Sequence, residues 1–209
     1  MIKRKKNTIE PKKSLLVVCA AEAEVLYFSQ MRKDCGYTNL TVEKASRADS
    51  LKSLIDSAAK LKNAGRYDST WALFGFNDVG TTAEEVKATE EYAQKKKVKL
   101  CWFNPSFELW IAFHFEPVLE FTQDQAKLQS LVAAKLPGFS FTPEYLLTGG
   151  INLHYDIFAH HSDADSRARL YNGKAVLETQ LDATSMPCFN EDVAEICGLG
   201  DMSRHRKRK

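Results

Sequence analysis

Glu24, Asp78 and Glu108 each stand a few residues past an apolar run of strand length. The runs are Ser14 to Cys19, Thr70 to Phe74 and Val98 to Phe103. In an open parallel sheet, ligands bind outside the carboxyl ends of the strands, so the turns after such runs point at one place. Carboxylates at all three turns would make a magnesium site, because Mg2+ takes carboxylate oxygens and keeps several waters. Glu22 shares the first turn with Glu24. Each residue also has an ordinary reading: Glu in a first helical turn complements the helix dipole, and Asp in a turn is common.

The segment Asn104-Pro-Ser-Phe-Glu-Leu-Trp-Ile-Ala-Phe-His-Phe115 is apolar on nearly every face and predicts a buried helix. Asn104 suits its N-cap and Pro105 its first position, which would place Glu108 one turn into it. Glu108 and His114 are its ionisable side chains. A buried carboxylate needs a metal, a cation or a network of donors. Glu108 is therefore either a ligand or a structural anchor. Six residues place His114 roughly 120° around the helix from Glu108, away from a shared ligand. His114 is a core histidine bonded to a carbonyl or a functional base.

A second concentration runs His154-Tyr-Asp156 and His160-His161-Ser-Asp163-Ala-Asp165. Asp156 and His160 would share a helix face as a metal pair, or the segment is surface, with Asp163 capping a helix. Tyr145, Gly149-Gly150, Arg167 and Arg169 could line a nucleic-acid groove. The five cysteines are scattered without a CxxC pair, which excludes a disulfide framework or zinc ribbon. Cys19 and Cys101 read as small core residues; Cys197 has nothing beside it to make it reactive. There is no Walker A loop, nucleophile elbow or dinucleotide fingerprint.

These residues need elements to position them. The runs at 14–19, 38–44, 70–74 and 98–103 read as strands, separated by helical patterns at 21–33, 51–65 and 81–97. That alternation predicts a mostly parallel sheet with right-handed crossovers and helices on both faces. Beyond 116 the patterns are helical: 123–135, 143–155, 163–180 and 187–197. They would wrap the sheet or form a small lobe. The expected organisation is a basic tail over 1–13, an α/β domain over 14–116, a helical part over 117–202 and a basic tail over 203–209.

With 209 residues, 44% hydrophobic and 27% charged, the chain excludes disordered, collagenous and membrane-spanning classes. No apolar stretch of secretory length follows the basic start, so a cytoplasmic protein is expected. The net charge of +2 hides six Lys/Arg in residues 1–13 and five in 203–209, with 18 basic against 26 acidic residues between them. Such tails either touch nucleic acid or only solubilise the chain.

Asn104-Pro-x-Phe-Glu-Leu-Trp-x-x-x-His-Phe115 resembles the hallmark helix of the RloB family. Cys19-Ala-Ala-Glu-Ala-Glu-Val-Leu-Tyr-Phe28 resembles its other hallmark, a strand followed by Cys-Glu-Gly-x-x-Glu-x-x-Tyr-Phe. The resemblance covers about residues 1–116 and, more loosely, Pro187-Cys-Phe-Asn190. It implies a Toprim-like α/β fold and a metal-dependent nuclease of phage defence and abortive infection, often paired with an AAA-type ATPase. In such a nuclease the edge carboxylates Glu24, Asp78 and Glu108 would be the residues left to hold Mg2+, with His114 beside them in catalysis. The chain departs from the Toprim pattern at three carboxylate positions, occupied here by Ala20, Gly75 and Asn77. An inactive scaffold, sensor or inhibitor on the same fold is the alternative.

Overall fold

The computed structural model describes residues 12–136 and 152–200, together with 140, 142, 144, 145 and 202. Four strands, β1 (Leu15–Cys19), β2 (Leu40–Lys44), β3 (Ser69–Gly75) and β4 (Lys99–Phe103), form one parallel sheet in the order β2-β1-β3-β4. Cys19 pairs with Lys44 on one side and Leu73 on the other, so β1 is central and its end meets both neighbours. All five residues of β1 are fully buried. A strand covered on both faces must read as an unbroken apolar run, and this one does.

Alternate side chains divide the core. Leu15, Val17, Cys19, Trp71, Leu73, Cys101 and Phe103 face one layer; Leu16, Val18, Ala72, Phe74, Leu100 and Trp102 face the other. The second layer is closed by α2 (Leu51–Gly65) and α4 (Ala83–Lys96), through Leu54, Ile55, Ala58 and Val86. Ser50 and Thr82 cap these helices by accepting the Ser53 and Glu85 N–H groups.

The first layer holds α1 (Glu22–Asp34) and α5 (Glu108–Phe115) and is completed by the C-terminal half. That half contains α6 (Gln125–Lys135), α7 (Leu153–Ile157), a 3-10 turn (Phe158–His160), α8 (His161–Thr179) and α9 (Met186–Cys197). Ala164, Ala168, Tyr171 and Phe189 lie in the same core as β1 and α5, so these helices wrap the sheet instead of standing apart as a lobe. Asp192 of α9 fastens the joint, accepting from Ser69 Oγ at 2.9 Å, Trp71 Nε1 at 2.6 Å and Lys99 Nζ at 2.8 Å. The segment 183–185 covers the β4 edge: Phe103 bridges Thr184, and Ser185 Oγ accepts the Trp102 N–H at 3.1 Å. Both tails, apart from residues 12 and 13, and most of the expected 143–155 helix lie outside the described residues. Among the described residues, no helix is long and apolar enough to cross a membrane.

Candidate metal centre at the carboxyl edge of the sheet

Two adjacent strands end in the same local device. After β1, Ala21 is extended and precedes α1; Glu24, third in the helix, reaches back so that its Oε2 accepts the Ala21 N–H at 3.1 Å. At the end of β3, Gly75 precedes the single turn α3 (Phe76–Val79), and Asp78 Oδ2 accepts the Gly75 N–H at 3.0 Å. The Ala20 N–H donates to Leu73 O at 2.9 Å and locks the two turns side by side. Both carboxylates are thus drawn to the end of the sheet.

Glu24 is fully buried, and among the described residues its Oε1 has no hydrogen-bond partner. Burial, then the Asp78 charge, pushes its carboxyl up to about 8, while the Ala21 N–H and Lys44 pull the other way. Asp78 is exposed along its edge but turns its carboxyl inward. Desolvation raises its pKa and the Glu108 charge adds to the rise, against the Gly75 N–H and Lys44. Ionising both at once sets two negative charges against each other in poorly solvated surroundings.

The expected helix start at Asn104 is wrong. The Asn104–Pro105 peptide is cis, and α5 begins at Glu108 after Phe107. The intervening turn is tied to its neighbours: Asn104 N–H donates to Ala183 O at 2.8 Å, and Pro105 O accepts the Asn77 N–H at 3.0 Å. These partners are distant in sequence, so local capping rules could not reveal them. Glu108 consequently opens the helix. It is 4% exposed, and its Oε1 accepts from Gln125 Nε2 at 3.1 Å and Gln129 Nε2 at 2.8 Å. Asn77 Nδ2 donates to Gln125 Oε1 at 2.9 Å. A cavity of about 520 Å³ opens on the outer side of Asn77, lined also by Thr81, Thr82, Asn104 and Gln123.

Ala20 and Gly75 carry no donor atom, and Asn77 offers a neutral amide. A Cβ on Gly75 would stand 2.6 Å from Asp78 Oδ2, so the space a side chain at 75 would use is already taken by the Asp78 carboxylate. Among the described residues, no three His, Cys, Asp or Glu side chains stand as a ready-made metal cage. The donor set is still of the kind Mg2+ uses. It consists of hard carboxylate oxygens, one of them buried without a partner among the described residues, and Mg2+ completes its shell with water or substrate oxygens.

One family model matches residues 15–189, that of the RloB-like proteins. The chain belongs to the RloB-like family. No curated protein and no solved structure matches it. The match runs from β1 into α9, so the helical half is part of the RloB-like unit together with the sheet.

Among the described residues of this RloB-like chain, His114, His154, His160 and His161 form a separate group. His114 Nδ1 bonds to Trp110 O at 3.0 Å; its ring lies 4.9 Å from Trp110 and 5.9 Å from His161, and its Nε2 is buried without a partner among the described residues. Burial, reinforced by His161, lowers its pKa to about 3, so it is neutral across the physiological range. His154 is buried against Asp34, Nδ1 to Oδ2 at 2.9 Å, which corrects its reading as a surface residue. The expected Asp156–His160 face does not form, because α7 stops at Ile157 and His160 pairs with Asp163 at 3.7 Å. Asp163 lies in the first turn of α8, after its start at His161. Arg169 bridges Asp165 and Glu191, and Arg167 donates to Phe113 O, so both guanidinium groups serve the fold. Glu22 is exposed. Cys19 and Cys101 are buried core residues, and burial pushes the Cys197 thiol up to about 11.

Sequence reasoning missed Gln125, Gln129, Lys44, Asp34 and Asp192. The i, i+4 spacing of the two glutamines was visible in the sequence, but only their target makes it meaningful.

Proposed function

We propose that this RloB-like chain is a Mg2+-dependent nuclease of the Toprim-like type, acting on RNA or DNA in phage defence with an AAA-type ATPase partner. The observation that carries the reading is the buried Oε1 of Glu24, which lacks a donor among the described residues and shares its surroundings with the Asp78 carboxylate. A divalent cation relieves both defects at once: it supplies a partner for the oxygen and neutralises the mutual repulsion. Glu24, Asp78 and Glu108 would hold the ion, and when bound it would act as a Lewis acid on a phosphodiester. Glu24 and Asp78 are steered by the Ala21 and Gly75 N–H groups, which fix where each carboxylate can meet the ion. His114 makes its contacts with Trp110 and His161, which supports a role in holding α5 and α8 together more than one in proton transfer. The basic tails would add electrostatic, sequence-independent attraction to nucleic acid.

The second reading is a catalytically silent module that keeps the fold and its partner surface. Ala20, Gly75 and Asn77, which remove three carboxylates of the Toprim pattern, favour it. Calorimetry with Mn2+ on the wild type and Glu24→Gln separates the two. Saturable uptake lost in the variant supports the nuclease, and cleavage of end-labelled RNA or DNA in the presence of the co-purified ATPase completes the case. No uptake by the wild type leaves the silent module.

A further inference from the structure

We infer that Gln125 and Gln129 of α6 are positioning residues that set Glu108 for a small, octahedral divalent ion. The inference rests on the metal reading above and extends it to a helix with no carboxylate in the site. Both carboxamides donate to the same oxygen, Glu108 Oε1, at 3.1 and 2.8 Å. Among the described residues, Oε2 accepts no hydrogen bond and is the oxygen left for a ligand. Two donors on one oxygen fix the plane of the carboxylate and leave Oε2 to meet a ligand. Gln125 is itself oriented, because its Oε1 accepts Asn77 Nδ2 at 2.9 Å. Asn77, at a position where the Toprim pattern has a carboxylate, thus acts at one remove, through Gln125 on Glu108. Gln129 is exposed and Gln125 half-buried, yet both turn their amides inward, an arrangement that solvent alone would not impose.

Outer partners of this kind typically tune metal affinity 10–100-fold. Mg2+ demands a tight octahedron, whereas Ca2+ accepts bidentate carboxylates and looser geometry. Freeing Glu108 should therefore weaken Mg2+ more than Ca2+. The experiment is calorimetry with Mg2+, Mn2+ and Ca2+ on the wild type, Gln125→Met and Gln129→Met, each melted first without metal. Methionine keeps the length of the side chain and removes the donor. The expected result is a loss of about tenfold in Mg2+ and Mn2+ affinity. Ca2+ affinity should change by less than about threefold, so that the Mg2+ to Ca2+ preference falls. A purely structural role would lower the melting temperature without moving that preference. Binding by the wild type with an unchanged preference in both variants, or with tighter Mg2+ binding, overturns the positioning role alone. Absence of saturable binding by the wild type overturns the metal reading and this inference together. If Gln129→Met fails to fold, Gln125→Met decides.

Discussion

Asp78 Oδ2 lies 2.6 Å from the point a Cβ on Gly75 would occupy and accepts the Gly75 N–H at 3.0 Å. The space beside Gly75 that a side chain there would need is occupied by the Asp78 carboxylate from the following turn. Gly75→Ala should therefore cost about 1–3 kcal/mol through overpacking, since Ser106 Cα at 3.1 Å also blocks the Cβ. Removing the Asp78 carboxylate as well should recover part of that loss. Denaturant unfolding of Gly75→Ala, Asp78→Ala and the double variant tests it; strictly additive losses would show that the two residues do not compete for space.

Glu24 makes the metal-free protein less stable in alkali. Its carboxyl is raised from 4.5 to about 8 in the folded state. Its contribution is fully present below the unfolded value and is lost as pH rises towards and through the folded one, because the unfolded chain releases the proton first. Glu24→Gln should flatten melting temperature against pH between about 5 and 8 and exceed the wild type at pH 8 in chelator. A wild-type slope retained in the variant would take Glu24 out of the linkage.

Two buried histidines act with the opposite sign. His114 is lowered from 6.5 to about 3, and His161 is lowered too, chiefly by burial in both cases. Their contribution is present above the unfolded value and declines as pH falls from it through the folded one, because the unfolded chain takes up protons that the buried rings refuse. His114→Leu should reduce the slope of stability with pH on the acid side by up to about 1.4 kcal/mol per pH unit. Equilibrium unfolding at pH 4, 5 and 6 measures it, and an unaltered slope would assign the effect to other groups.

Asp192 joins α9 to the far end of the sheet through Ser69, Trp71 and Lys99. Asp192→Ala should cost about 2–3 kcal/mol, because it removes one charged acceptor from three donors. The shortest of these bonds is to the Trp71 indole, so the tryptophan emission should shift in the folded variant. A stability change below about 0.5 kcal/mol would demote the cluster to an incidental surface contact.

Much of this architecture was legible in the order of the residues. Leu15–Cys19 reads as a doubly covered strand because both of its faces are buried, and the alternation of runs with helical patterns leaves a parallel sheet as the simple arrangement. The carboxyl-edge rule then selects Glu24, Asp78 and Glu108, since each follows a strand by a few residues whatever the rest of the chain does. These are local consequences: hydrophobic period, strand ends and turn residues lie within a short stretch of sequence.

What the tertiary structure decided is of a different kind. That Asn104 does not cap α5 depends on Ala183, that Glu108 is held depends on Gln125 and Gln129, and that His154 is buried depends on Asp34. Each of these partners lies 17 to 120 residues away along the chain. Polar contacts at such separations follow from how the helices of the second half pack on the sheet, and a hydrogen bond is specified by ångström-scale placement that composition and period do not encode. The hydrophobic pattern marks which faces are buried. Only the packed structure says which donor reaches which carboxylate.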